Sequence, residues 1–206
     1  MKRIFFFLCL FSLIQLQGQK LIKKAFVGPE TKYIQIDSKY CYQVDLDTNN
    51  INEVKVEASI EGEYSKDLVI TIEEQGATVL LSAGFQPNFI NPNDKLSAHK
   101  VISIKLRITL PEHKEVSVYG TNSNVQATGD FKSLMVKLSD GRCVLENVIA
   151  NVEVATQKGD ILLKVPSGNI VAKSTYGEVQ KETIPQGEKL YNLNTVEGRI
   201  FLKKTK

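Results

Sequence analysis

The 206-residue chain has no tryptophan, only two histidines and only three cysteines. The histidines, His99 and His113, stand in no HExxH pattern, and no pair of cysteines has the spacing of a zinc site. The glycines form no GxGxxG or phosphate-binding loop. We therefore predict no catalytic residue, no metal and no cofactor.

The amino terminus, MKRIFFFLCLFSLIQLQGQ, has the layout of a secretory signal peptide, with Lys2 and Arg3 ahead of a short apolar stretch. We predict that residues 1–19 are a signal peptide and that the protein is exported to the periplasm or the cell surface. The apolar stretch is shorter than the roughly 20 residues that cross a bilayer. An uncleaved N-terminal anchor and a lipid on Cys9 are the alternatives.

The remaining chain has no further long apolar run, so we predict no transmembrane segment in the mature protein. Its charges are nearly balanced, with 24 Lys and Arg (26 less Lys2 and Arg3) against 23 Asp and Glu. Such a balance provides no strong field to attract nucleic acid. We predict no nucleic-acid partner and expect an envelope protein or a glycan instead.

The second half of the chain repeats with a period of about 18 residues. Written from Val116, the rows are VSVYGTNSNVQATGDFKS, LMVKLSDGRCVLENVIAN, VEVATQKGDILLKVPSGN and IVAKSTYGEVQKETIPQG, followed by LYNLNTVEGRIFLKKTK. Apolar and polar residues alternate within a row, and the columns recur from row to row. We predict an all-β fold in which residues 111–206 form a parallel β-solenoid with two strands per row.

A column of glycines marks one corner of each predicted row. Its members are Gly141, Gly159, Gly177 and Gly198. We expect glycine there to supply a positive φ for a tight corner. Thr156, Ser174 and Thr195 form a column of hydroxyls just before it, which we expect to bond backbone groups of the corner. The charged residues just after it, Arg142, Asp160, Glu178 and Arg199, predict a ladder of charges across the rows.

Cys143 occupies an inward column that otherwise holds Val and Ile. We therefore predict that it is buried as a small hydrophobic residue. A disulfide with Cys41 is the alternative, because export to an oxidising compartment permits one.

Residues 20–110 lack the period but contain strand-like runs such as KYIQI and VISIKLRITL. We predict an N-terminal β layer that either caps the solenoid or forms a separate sandwich. Asp45 and Asp47 flank a strand end, which leaves a calcium site open as an alternative.

The segment 83–100, AGFQPNFINPNDKLSAHK, has no strand pattern. Long loops of this kind are often functional, so Phe85, Phe89 and His99 form a tentative contact loop. The alternative is that the two phenylalanines pack as a lid on the end of the solenoid. Asp94, Ser97 and His99 are too close together on one loop to make a catalytic triad.

The rows resemble those of adhesin-like, head-GIN and DUF4097-like families of exported bacterial proteins, of the kind found in Bacteroidetes. The likeness rests on a glycine corner followed by a short apolar strand, as in Asp140-Gly141, Lys158-Gly159 and Tyr176-Gly177. It covers roughly the second half of the chain. The resemblance implies a β-solenoid of the cell envelope and supplies no catalytic residue.

These observations together indicate a non-catalytic envelope or cell-surface protein, an adhesin-like binding or scaffold module. One alternative is a periplasmic structural or regulatory partner in envelope-stress signalling. A polysaccharide-acting hydrolase is another alternative, which the alternating corner charges disfavour.

Overall fold

The computed structural model describes residues 19–61, 67–86 and 103–205. Residues 1–18 of the predicted signal peptide lie outside these ranges. Fifteen strands make up one mixed sheet. In chain order they are β1 (Gln19–Phe26), β2 (Tyr33–Asp37), β3 (Gln43–Asn49), β4 (Glu53–Glu61), β5 (Leu68–Gln75), β6 (Thr78–Phe85), β7 (Ser103–Pro111), β8 (Glu115–Asn122), β9 (Asn124–Asp140), β10 (Cys143–Thr156), β11 (Ile161–Val165), β12 (Asn169–Ser174), β13 (Val179–Lys181), β14 (Leu190–Thr195) and β15 (Ile200–Lys204). Within the described ranges we find no helix with the length and hydrophobicity to cross a membrane.

The strands form two walls around a shared core. The first wall runs β1, β4, β7, β3, the start of β9, the start of β10, β11, β15 and β13. The second runs β5, β6, β2, β8, the end of β9, the end of β10, β14 and β12. β9 and β10 belong to both walls, and register shifts midway along their pairing mark the bulges where they pass from one to the other. We call one strand of each wall, with the corner between them, a row.

Alternation along the strands decides which side chains fill the core. In β11, Ile161, Leu163 and Val165 are buried, whereas Leu162 and Lys164 are partly exposed. The neighbouring parallel strands repeat this pattern, so like positions stack. The buried side chains of both walls therefore form one hydrophobic core.

The 18-residue period appears directly as strand register. Val125 pairs with Cys143, and Cys143 pairs with Ile161. On the second wall Val116 pairs with Leu134 at the same offset. The rows that we read in the sequence are therefore neighbours in the parallel part of the sheet.

A further row that the period does not reveal precedes the first repeat. β2 and β3 pair in parallel with β8 and β9, which places Ile34 beside Val116 and Val44 beside Val125. β6 and β7 form the next row outward, again in parallel. β4, β5 and β1 then add antiparallel strands at this end. The strands of both halves of the chain thus share one sheet and one core.

The all-β prediction is confirmed. The finer prediction, a parallel β-solenoid, is not confirmed, because the 15-stranded sheet is mixed and does not close.

The last two rows stand in the reverse of their chain order. β14 and β15 pair with β10 and β11 on one side and with β12 and β13 on the other. Tyr191 accordingly lies between Val152 and Ile170. The row of β12 and β13 is therefore the end of the stack, and stacking in chain order is wrong for these two rows.

The four glycines do stack on one another in the structure, but the requirement for glycine at these positions is mainly steric. Only Gly141 of the four has a positive φ, 103°. A Cβ on Gly159 would lie 1.6 Å from the carbonyl oxygen of Gly141, and one on Gly198 would lie 2.2 Å from that of Gly159. A Cβ on Gly177 would lie 2.1 Å from the carbonyl oxygen of Gly198. Each glycine thus admits the backbone of the neighbouring row, and the positive φ that we expected occurs at one position.

The end row carries features that oppose further strand pairing. Lys181 in β13 pairs with Leu202, so a charged residue stands in a column whose neighbours are buried. β13 has only three residues, and Pro185 follows it. Lysine, proline and short length are the usual means of blunting an exposed edge strand. The lysine that interrupts the apolar column in the sequence therefore lies at the end of the stack.

We predict that Gly159→Ala destabilises the fold by about 3 kcal/mol or more, because backbone rather than a flexible side chain occupies the space of the new Cβ. A loss of that size would lower the Tm by roughly 6–12 °C. Thermal unfolding followed by circular dichroism measures it. Gly84→Ala is the matched control, because nothing lies within 4 Å of its Cβ position. Equal melting temperatures for the two variants would contradict a steric role for Gly159.

We predict that Lys181→Leu promotes end-to-end association, because it extends the apolar column to the open edge of the stack. Light scattering should give a larger mean mass than for the wild type at the same concentration. Lys203→Leu is the control, since it makes the same change on an exposed position of β15. Association to the same extent in both variants would show that surface hydrophobicity alone is responsible.

Candidate functional site

Two columns of charge flank the glycines, and their signs alternate along the stack. In spatial order one column holds Asp140, Lys158 and Glu197, and the other holds Arg142, Asp160, Arg199 and Glu178. Backbone bonds fix this order: the N–H of Cys143 donates to the carbonyl of Asp160, that of Ile161 to Arg199, and that of Ile200 to Glu178. The predicted ladder is therefore present. It alternates strictly only because β15 lies between β11 and β13.

Asp160 and Arg199 form the shortest ion pair of the ladder. The Arg199 Nη2 lies 2.9 Å from the Asp160 Oδ2, and the backbone N–H of Arg199 donates to Oδ1 at 2.8 Å. Partial burial acts to raise the pKa of Asp160, but these bonds and the charges of Arg199 and Arg142 outweigh it and hold that pKa below its ordinary value. The bond and charge of Asp160 raise the pKa of Arg199, and Glu178 adds to this effect.

The hydroxyl column bonds the corner backbone, as predicted. Thr156 donates to the carbonyl of Gly159 at 2.7 Å, and Ser174 donates to that of Gly198 at 2.7 Å. The N–H of Gly198 donates to the hydroxyl of Thr195 at 3.1 Å. These bonds satisfy buried polar groups and hold the corner in one conformation.

A groove of about 610 Å³ opens at this corner. Side chains from four consecutive rows line it, among them Gln43, Asn124, Gln126, Asp140, Arg142 and Asp160. The lining combines amides, which both donate and accept hydrogen bonds, with charges of both signs. We call this surface the corner groove. It suits a polar ligand lying across the rows.

Of the tentative contact residues, the structure describes only Phe85, and Phe85 does not line the corner groove. Phe85 ends β6, is partly buried and packs against the core, with its ring 5.5 Å from that of Tyr40 in an edge-to-face arrangement. Phe89 and His99 lie outside the described residues, as do Asp94 and Ser97. The described part of the loop therefore contributes core packing at Phe85.

Both cysteines of the described residues are free and buried. Cys143 lies between Val125 and Ile161 and is fully buried, as its column predicts. Burial raises its pKa to about 12, and burial together with the charge of Asp37 raises that of Cys41 to about 12. The alternative of a Cys41–Cys143 disulfide is therefore not realised in this structure.

The acidic side chains near the end of β3 already bond to neighbouring side chains. Asp45 lies 2.8 Å from the Nζ of Lys105, and Asp47 accepts a hydrogen bond from Thr109 at 3.3 Å. No group of three or more His, Cys, Asp or Glu side chains with metal-binding geometry occurs among the described residues. The calcium site that the sequence left open has no support in this part of the chain.

Gln43, Asn124 and Gln126 are polar groove residues that we did not identify from the sequence. Gln43 belongs to the row of β2 and β3, whose pairing with β8 and β9 is not visible as a period. A usable signal does exist, because Ile34, Ile36, Val44 and Leu46 repeat the inward pattern of the later rows. Residues 38–42 give this row a corner one residue longer than that of the first repeat, which obscures the alignment.

The chain matches no protein-family model and no curated protein. Among solved structures, it resembles one described as "a putative cell adhesion protein" from Clostridium sporogenes. The two are 17% identical, with a TM-score of 0.62, and the match covers 91% of this chain and 100% of that one. At this identity the match establishes likeness of fold alone.

Two other solved structures, each described as a putative adhesin, are more distant. That from Bacteroides fragilis is 14% identical, with a TM-score of 0.40, and covers 91% of this chain and 97% of its own. That from Parabacteroides distasonis is 13% identical, with a TM-score of 0.39, and covers 91% and 98%. The head-GIN and DUF4097-like part of the resemblance is not confirmed.

We predict that Asp160→Asn destabilises the protein at neutral pH and has little effect in acid. The folded pKa of Asp160 lies below the ordinary value of about 3.9. Its contribution is therefore present above about pH 4 and is lost as the pH falls through the folded pKa. Denaturant unfolding of wild type and variant over this range measures the difference. Asp140→Asn is the control, because Asp140 makes no ion pair within the described ranges. A difference between wild type and Asp160→Asn that does not change with pH would contradict the ion-pair explanation.

Proposed function

We propose that this protein is an exported, non-catalytic, adhesin-like binding module, built as a β-solenoid, and that the corner groove is its ligand-binding surface. The observation that carries the proposal is the groove itself, a polar surface assembled from four rows on a backbone fixed by stacked glycines. A rigid surface loses little conformational entropy when it binds a ligand. The likeness of fold to a solved protein described as a putative cell adhesion protein supports the same role.

The charges at the corner also favour binding over catalysis. A catalytic carboxylate pair needs two groups whose environments separate their pKa values and leave them free to exchange protons. Both oxygens of Asp160 accept hydrogen bonds from Arg199, and Lys158 lies 3.8 Å from Glu197. These groups balance one another along the stack, which suits a structural and recognition role.

The cell surface is the location that this function requires. We predict that protease added to intact cells removes the protein, with immunoblotting as the readout and a periplasmic protein that stays protected as the control. Survival of the protein until lysis would contradict a surface adhesin. That outcome would favour the alternative role, a structural or regulatory partner within the periplasm, and would direct the search for a ligand to envelope proteins.

A further inference from the structure

Arg142 is the one arginine of the corner whose side chain has no bonded partner among the described residues. Its backbone N–H donates to the Oδ1 of Asn124 at 2.9 Å, which fixes its place in the row. Its guanidinium makes no hydrogen bond or ion pair within residues 19–61, 67–86 and 103–205. The side chain is exposed and lines the corner groove.

The order of the ladder explains why this cation is left over. On one side of Arg142 stands the neutral Asn124, the residue of the preceding row. On the other side stands Asp160, but both of its carboxylate oxygens accept hydrogen bonds from Arg199. Asp160 therefore acts on Arg142 only through space. An exposed guanidinium with all of its donors unused is suited to a carboxylate, which it can bind through two parallel hydrogen bonds.

The surroundings of Arg142 favour a ligand that has hydroxyl groups and a single negative charge. The amide of Gln126 has no partner in the described ranges, and the Asn124 amide nitrogen is unused, so both can bond hydroxyls. Asp140 and Asp160 lie in the same groove and would repel a multiply charged group, whereas the second cation of the lining, Lys158, already lies 3.8 Å from Glu197. A polyphosphate or a nucleic-acid backbone is thereby disfavoured.

We propose that the corner groove binds a polysaccharide in which isolated uronic acid units stand among neutral sugars, with the carboxylate of one unit on Arg142 and its hydroxyls on Gln126 and Asn124. This inference rests on the function proposed above and specifies its ligand class. The rows present groove residues at a repeat of about 4.8 Å along the stack. The chain of the polysaccharide lies across the rows and meets a new set of outward side chains at each step.

An oligosaccharide of neutral sugars that carries one galacturonate unit and the methyl ester of the same compound are the matched probes, because esterification removes the single negative charge and adds only a methyl group. Isothermal titration calorimetry of the full mature chain should show binding of the acid form and at least about tenfold weaker binding of the ester. Arg142→Gln should weaken binding of the acid form by a similar factor. Raising the salt concentration should weaken binding to the wild type, because the contact is exposed.

Arg107→Gln is the control variant, since Arg107 is an exposed arginine of β7 that does not line the groove. It should bind as the wild type does. The melting temperature of Arg142→Gln should match the wild type, because the hydrogen bond to Asn124 comes from the backbone. A folded Arg142→Gln variant thus reports on binding alone.

Three results would overturn the proposal: no binding of the acid form, equal binding of acid and ester, or equal affinity in Arg142→Gln and wild type. None of these affects the broader function by itself. A protein that is removed by protease from intact cells yet binds no uronate keeps the adhesin role and loses only this ligand class. A protein protected within the periplasm that binds uronate through Arg142 keeps the ligand and loses the surface role.

Discussion

The close approach of backbone at the glycine corner is the constraint on which the rest of the molecule depends. Gly141, Gly159, Gly198 and Gly177 each leave room for a carbonyl oxygen of the preceding row, and any Cβ in this column would meet backbone. This spacing brings the rows to the distance at which parallel strands pair and inward columns stack. The core, the hydroxyl bonds beneath the corner and the charged columns beside it all follow from that distance.

Electrostatics and burial both favour the observed order of the last two rows. Ile161, Ile200 and Val179 could stack in either order, but in chain order Lys181 would lie between Leu163 and Leu202, in a buried column. Stacking in chain order would set Asp160 beside Glu178, whereas the observed order sets Arg199 between them. Like charges side by side on a sheet are destabilising. The corner charges therefore disfavour the competing arrangement, and Lys181 then lies where an inward charge is tolerated, at the open end.

The sequence predicted the structure correctly wherever one row repeats another at a constant number of residues along the chain. The strand columns, the burial of Cys143 and the bonding of Thr156 could all be predicted, because a fixed period places like residues in register. Two features could not be predicted from the sequence. The row that contains Gln43 pairs with a segment about 80 residues away. A repeat of 18 residues gives no information about a contact at that separation. The insertion of β15 changes the spatial order of the rows, and only the signs of the corner charges and the inward position of Lys181 record that change in the sequence.

The same ladder that stabilises the corner also creates the surface that we propose for ligand binding. A column of alternating charge is balanced internally, but it must end, and the residue at its end has a neighbour on one side only. At one end Glu178 lies on the outermost row, and at the other Arg142 meets the neutral Asn124. Because Arg199 takes both oxygens of Asp160, the cation left over in this column is Arg142, and it lies inside the groove rather than at the tip of the stack. The anion site that we propose is thus a consequence of how the rows are ordered.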